Sequence, residues 1–286
     1  MSARLLVFDV SGAHALFKVP GSTRSVVTFP FPPRTAILGM VGAMLGLPRN
    51  SYWAQGHPLR SATVAVEVTR PGMLAAYADR RDRPEGNPTG YLSDSTRPAS
   101  VDTTGQFAAT TAVSSSVLVN PAFRVYFSTP DERMRQALER ALRLRMYHYS
   151  PYFGHASMPA EVSLVGSFRC DKMESGEYEV RTVVPIQPEP RTQIVGDYVS
   201  IMGVPMSFHV EEVEVDGERQ YVPKHADCMS AVAYHCPHRK SNVRVITRAD
   251  SITSVLSVLH HSDGKATDMK RPHGDIYVTP LPSGER

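Results

Sequence analysis

With 286 residues, 42% hydrophobic, 21% charged and 8% aromatic, the chain has enough apolar content to bury a sizeable core and is no disordered polymer. Lys and Arg number 31 against 28 Asp and Glu, and a net charge of +3 excludes a wholly basic protein, so any polyanion site must be local. No apolar run approaches the ~20 residues of a bilayer span, and no membrane contact is expected. Arg4 to Val10 alternates in β formers and predicts a first strand ended by the Ser11-Gly12 turn pair. No charged leader precedes it, so a cytoplasmic chain is expected. Three thinly spread cysteines, Cys170, Cys228 and Cys236, argue against a disulfide framework and fit a reducing compartment.

After Pro32-Pro33, the pattern TAILGMVGAMLG predicts a short helix from Thr35, with Gly39 and Gly42 letting it lie close on a sheet and Gly46 as its stop. Ala62 to Thr69 alternates as a second strand. Between Arg70 and Ser116 apolar density drops and Gly, Pro, Ser, Thr and Asp dominate, which predicts a long insertion, either disordered or protruding and functional. Val117 to Phe127 resumes as a strand with Pro121 at a bulge or edge. Thr129-Pro130-Asp131-Glu132 reads as a capping box with Thr129 as the cap, and Met134, Leu138, Ala141 and Leu142 predict an amphipathic helix from Asp131 to about Met146.

Glu161 to Phe168 supplies another strand, completing the order strand, helix, strand, strand, helix, strand. That order is α+β and of the split βαβ, ferredoxin-like (RRM-like) kind, the fold of RNA-recognition modules, although the fold alone does not dictate RNA binding. The expected organisation is a ferredoxin-like domain over residues 1–170 with the insertion at 70–116, a β-rich continuation at 171–223 that turns at Asp216-Gly217, and a C-terminal extension at 224–286. Charge is uneven: Met1 to Arg60 carries six Lys/Arg against Asp9 alone, while Asp171 to Glu218 carries eleven acids against three cations. The N-terminal part is therefore the candidate face for a polyanion; two solvated faces of a neutral protein are the alternative.

V-S-G-A-H-A-L-F-K-V-P from Val10, T-F-P-F-P-P-R-T-A-I-L-G-M-V-G-A-M-L-G from Thr28, and S-P-Y-F-G-H-A-S-M-P-A between Tyr149 and Ala160 resemble, in order, the signatures of the CRISPR-associated Cas-five family. Its members are subunits of type I effector complexes (Cascade) in the repeat-associated RNA-binding superfamily, and the flavour here is closest to type I-B. The resemblance implies a noncatalytic subunit that grips the 5′ handle of the crRNA beside the large subunit and the last backbone subunit. It would meet target DNA only through the complex, in RNA-guided antiviral defence, with no cofactor. The family's thumb, which crosses the guide, matches Arg70 to Ser116.

Physical chemistry assigns candidate RNA-binding residues to that role. Arg34 and Thr35 at a helix start offer a cation, a hydroxyl and free amides to a phosphate, flanked by Lys18 and Arg24, with Ser11 at the first turn. Against this, Arg34 is an ordinary surface cation set unfavourably to the helix dipole. Tyr152, Gly154 and His155 form a glycine loop suited to close backbone approach, or simply a packed turn. Arg80, Arg81 and Arg83 form a candidate phosphate comb in the insertion, or a solvated arginine run. Phe17, Phe29 and Phe31 are read as packed under the sheet rather than stacked on bases.

One branch of the family is a metal-independent endoribonuclease, and Tyr147, His148, Tyr152 and His155 would be the acid–base candidates here, without a nearby lysine. His225, Cys228, Cys236 and His238 form a weak H-x2-C-x7-C-x-H candidate for zinc, more simply read as buried cysteines and polar histidines. A ferredoxin-like interaction module unrelated to CRISPR is the remaining alternative.

Overall fold

A computed structural model describes residues 3–22, 25–82, 110–172, 176–186, 192–215, 217–234, 243–247, 254–261 and 276–278. In chain order the elements are β1 (Ala3–Ser11), β2 (His14–Ala15), β3 (Ser25–Val26), α1 (Arg34–Leu45), β4 (Thr63–Arg70), β5 (Met73–Asp82), β6 (Thr110–Val119), β7 (Ala122–Ser128), α2 (Glu132–Leu144), β8 (Glu161–Lys172), β9 (Gly176–Val180), β10 (Val184–Pro185), β11 (Thr192–Val195), β12 (Val199–Val215), β13 (Glu218–Tyr234), β14 (Val243–Thr247), β15 (Ser254–His261) and β16 (Ile276–Val278). A short 3₁₀ turn, Ser51–Trp53, follows α1.

The main sheet runs β16-β15-β8-β1-β7-β4. β1 lies between β7 and β8 and β4 pairs with β7, every one of these pairings antiparallel. Alternation along β1 explains its central place. Leu6, Phe8 and Val10 face α1 and α2, meeting Ile37, Leu38, Val41, Leu138 and Leu142, while Leu5 and Val7 join Tyr126 and Phe168 on the other face. On that second face a charge ladder crosses three strands: Arg124, opposite both Asp9 and Glu67, donates from Nε to Asp9 at 2.7 Å, and the Tyr126 hydroxyl donates to Glu67 at 2.6 Å.

Several expectations change. The segment from Val117 to Phe127 is two strands, not one: Asn120, at φ 56°, and Pro121 form a corner, after which the chain leaves the sheet of β6 for the main sheet. The arms of the insertion are ordered, because β5 and β6 pair from Met73↔Val119 out to Asp82↔Thr110, and serine and threonine serve as strand residues there. Residues 83–109, including Arg83, lie outside the described residues.

α2 is capped by Asp131 rather than Thr129. The Asp131 carboxylate accepts from Arg133 N at 2.9 Å and Met134 N at 3.2 Å, while Thr129 Oγ1 accepts from Asp131 N. Glu132 is left free to bind Arg135, which is nearly buried and also reaches Glu139. Hydrogen bonds from Arg135 and Gln136 hold the Glu132 carboxyl down at about 2. A carboxylate depressed in the folded state contributes stability above its ordinary value of 4.5 and loses it as the pH falls towards 2. Urea melts of the wild-type and Glu132→Gln chains should therefore differ at pH 6, draw together below pH 4.5 and converge only at about pH 2, with a small amplitude because Glu132 is half exposed. A difference independent of pH would assign the effect to something other than this ion pair.

β12 and β13 form a hairpin of 17 residues per strand, with Val215 opposite Glu218 and Gly217 at φ 79° in the two-residue turn. β13 spans position 223, although its ladder with β12 shifts register there, so the β-rich continuation and the start of the extension share one element. Among the described residues no helix is long and apolar enough to cross a membrane.

Candidate nucleic-acid interface

A groove of about 620 Å³ runs along α1 from its start to the turn that follows it. Its floor is Pro33, Thr35, Ala36, Gly39, Met40 and Ala43; Lys18 and Arg49 stand at its rim with Asn50; Tyr52, Tyr149 and Tyr152 supply rings; Pro205 and Phe208 of β12 close one side. Of these lining residues two are cations and none is acidic.

Each wall has a local cause. Lys18 sits on a segment held to its neighbour by reciprocal backbone bonds, Val19 N to Val27 O and Phe29 N to Phe17 O, both 2.8 Å, and by Phe17 N donating to Thr28 Oγ1 at 2.9 Å. Phe17, Phe29 and Phe31, each 2% exposed, anchor that pair in the core. α1 stops at Gly46, whose φ of 73° lets Leu47 N return to Gly42 O. The chain then turns through Pro48 and presents Arg49 outward. Asn50, at φ 62°, donates from Nδ2 to Tyr221 O at 3.1 Å and ties this rim to β13. His148 N and Tyr149 N satisfy the last carbonyls of α1, Met44 O and Ala43 O, which sets Tyr149 at the groove.

The glycines of α1 do not seat the helix on the sheet. A Cβ at Gly42 would lie 3.0 Å from the Tyr52 ring and one at Gly39 3.3 Å from its hydroxyl, so the stripe receives a tyrosine instead. Burial, followed by the nearby Tyr152, pushes the Tyr52 hydroxyl up to about 12, and it stays protonated. α1 begins without a capping side chain and without an acidic residue in its first turn, leaving the positive end of the helix open to the groove.

Arg34 is not the free cation expected at this helix start. Only 7% exposed, it donates from Nη1 to Met206 O at 2.6 Å and from Nη2 to Arg60 O at 2.6 Å and Ala62 O at 2.8 Å, beneath a Trp53 ring 5.8 Å away. Burial and neighbouring Arg60 lower its pKa to about 10, still above neutrality. Three of its five donors are spent on the chain's own carbonyls and the side chain is buried, so it presents no free cation to a phosphate. Gly154 is likewise structural: at φ 77° its missing Cβ would lie 2.0 Å from Leu16 O, so the close backbone approach is to Leu16.

Lys18, Thr35, Tyr152 and Gly154 thus come together at the groove, joined by Arg49, Asn50, Tyr52 and Tyr149, which the sequence did not single out as site residues. The available signal was Pro48-Arg49-Asn50 directly after the helix stop. Ser11 lies elsewhere, in a cavity of about 320 Å³ with Arg145 and Tyr147. Arg80 and Arg81 fall in β5 opposite Ala112 and Thr111; Arg24 lies outside the described residues.

The four nuclease candidates are not gathered in one cavity. The Tyr147 hydroxyl donates to Val162 O and burial raises its pKa; His148 packs where a Cβ on Gly46 would stand; His155 bonds Ser157 through Nδ1 at 2.7 Å; only Tyr152 lines the groove. Of the zinc candidates, His225 and Cys228 lie on β13, Cys228 is exposed, and Cys236 and His238 lie outside the described residues.

Fold and groove together define an α+β protein that offers an acid-free, cation-rimmed groove beside an open helix start. The family described as CRISPR-associated protein (Cas_Cas5) matches residues 5–221, and the chain belongs to that family. Among solved structures it is similar to a chain of a CRISPR RNA-guided surveillance complex, at 15% identity over 85% of this chain and 90% of that one with a TM-score of 0.40. It is also similar to a CRISPR protein from Archaeoglobus fulgidus, at 11% identity over 99% and 100% with a TM-score of 0.40. A crystal structure of a Cas protein gives 20% identity over 54% of this chain, with a TM-score of 0.34, and the match spans 57% of that chain. No curated protein matches the sequence.

Proposed function

We propose that the chain is a noncatalytic subunit of a type I CRISPR effector complex, Cascade, that binds the 5′ handle of the crRNA in the groove over α1. Its partners are the backbone and large subunits, and it meets target DNA only through them. Residues 1–170 are read as a ferredoxin-like domain, a reading supported by the order of β8, β1, β7 and β4 in one antiparallel sheet with α1 and α2 on a single face. The observation that carries the proposal is the groove's composition: Lys18 and Arg49 with no acid among the lining residues, an open helix start, and three tyrosines. Single-stranded RNA needs that combination, cations and amides for phosphates and flat rings for unstacked bases.

The test is binding of a single-stranded handle RNA to wild-type and Lys18→Glu/Arg49→Glu chains across a salt series. Loss of two phosphate contacts should weaken binding and flatten the logarithmic salt slope by about 0.7 per contact. Tyr152→Ala should cost about 1–3 kcal/mol if a base stacks there, without changing the slope. Unchanged affinity in both folded variants, the double Lys18→Glu/Arg49→Glu and Tyr152→Ala, would remove the groove from RNA binding. Repeat RNA cut by the pure chain to a 2′,3′-cyclic phosphate, with the activity lost in Tyr147→Phe, would replace the scaffold reading by the nuclease one.

A further inference from the structure

The long hairpin carries a side-chain cluster that the groove does not use. His209 of β12 stands directly opposite His225 of β13, and Asp227, two residues along the same strand, is opposite Ser207. With a side-chain period of two, these four residues share one face of the ribbon, while Cys228 points to the other. The two imidazoles stack with centroids 4.1 Å apart and planes 15° from parallel. His209 Nε2 is 2.9 Å from both carboxylate oxygens of Asp227. One donor atom from each of His209, His225 and Asp227 lies within 4.8 Å of the other two.

From this juxtaposition we propose that His209, His225 and Asp227 bind one divalent transition metal ion, Zn2+ being the best match, across the two strands of the hairpin. Two imidazoles and a carboxylate are the donor types zinc accepts, at bonds of about 2.0–2.2 Å, with a fourth tetrahedral position left to water. Such bonds require donors roughly 3.3 Å apart. All three side chains are exposed, which leaves their χ angles room to rotate and draw the donors together. Ser207 supplies the outer contact that ligating carboxylates usually have: its hydroxyl donates to Asp227 Oδ2 at 2.6 Å and fixes the carboxylate facing the histidines.

The place on the ribbon gives such an ion a mechanical role. The ladder slips beside His209, with Val210 opposite Pro223, which has no N–H to donate, so strand pairing is interrupted there. A metal bridging His209 and His225 restores a cross-strand link at that interruption. The adjacent residue Phe208 packs edge-on against Trp53 at 5.5 Å and lines the groove, and Met206 accepts from Arg34. The ion would therefore brace the strand that forms one groove wall. This set differs from the H-x2-C-x7-C-x-H pattern because cross-strand register, not local spacing, brings His209 to His225.

The test is titration of the EDTA-stripped full-length chain with ZnCl2 by calorimetry, followed by Co2+ absorption to report tetrahedral geometry. One equivalent should bind and raise the melting temperature. Affinity should fall at least tenfold in His209→Asn, His225→Asn and Asp227→Asn, by about tenfold in Ser207→Ala, and not at all in His155→Ala. Because His209, His225 and Asp227 are exposed, their three metal-free variants should melt with the metal-free wild type, which separates ligation from misfolding. Zn2+ binding that persists unchanged in His209→Asn and His225→Asn, or no binding at micromolar Zn2+, would each overturn the site.

Discussion

Arg34→Ala should lower the unfolding free energy by about 3 kcal/mol or more, because three hydrogen bonds from one buried cation are lost together. Three carbonyls, Met206 O, Arg60 O and Ala62 O, lose their donor at once, and the Trp53 ring loses the cation beneath it. Hydrogen bonds to charged groups contribute about 1.5–3 kcal/mol each, and carbonyls left dry cost their desolvation as well. Arg34→Lys should recover only part, since one ammonium cannot reproduce a planar fork that serves three acceptors on two separate segments. Urea unfolding measures this as a lower midpoint at unchanged slope. Full stability in Arg34→Ala together with weaker, less salt-sensitive RNA binding would instead return Arg34 to the phosphate-binding set.

Gly154→Ala should be nearly as costly, for two separable reasons. A left-handed backbone costs a non-glycine residue about 1–2 kcal/mol. In addition the new Cβ would stand 2.0 Å from Leu16 O, an atom of backbone held in place by the bond from Leu16 N to Phe153 O. The loop must move or Leu16 must, and either displaces Tyr152 from the groove. Gly56→Ala is the matched control, with φ 80° and nothing within 4 Å of the added carbon. Thermal melts should show a clearly larger loss for Gly154→Ala than for Gly56→Ala, together with weaker RNA binding for the former alone. Equal losses would mean that the contact with Leu16 is relieved at no cost.

What the sequence disclosed and what it hid follow from the range of the interactions. β1, α1 with its Gly46 stop, the span of α2 and the turn near Gly217 are governed by periodicity and by residues a few positions away, and they were legible. The choice of Asp131 over Thr129 as cap was not, because both side chains occur at suitable spacing and only the entry angle of the chain decides between them. The strand character of Thr110 to Ser116 was hidden by its polar composition, since its partner β5, and not its own hydrophobicity, makes it a strand. At the groove, Lys18, Thr35 and Tyr152 were found through local motifs, whereas Tyr149 is brought there by the docking of residues 148–149 on the end of α1, and Arg49 by the turn after Gly46, a local signal that was passed over. Arg34 was misjudged because its nearest acceptor on the hairpin is 172 residues distant.

That separation also bears on when the groove exists during synthesis. At about 5–20 residues per second, translation reaches Met206 roughly 10–35 s after Arg34. By the end of that interval β1, α1, β4, β7, α2 and β8 have been made and can pair and pack with one another, although β15, the outer partner of β8, has not. The guanidinium, however, lacks one of its three acceptors, and the groove lacks Pro205 and Phe208. Closing so long a loop is entropically slow, and contacts of this sequence separation form late. The N-terminal part therefore folds around a cation waiting for its last acceptor, and the groove is complete only once the distant hairpin has zipped and docked.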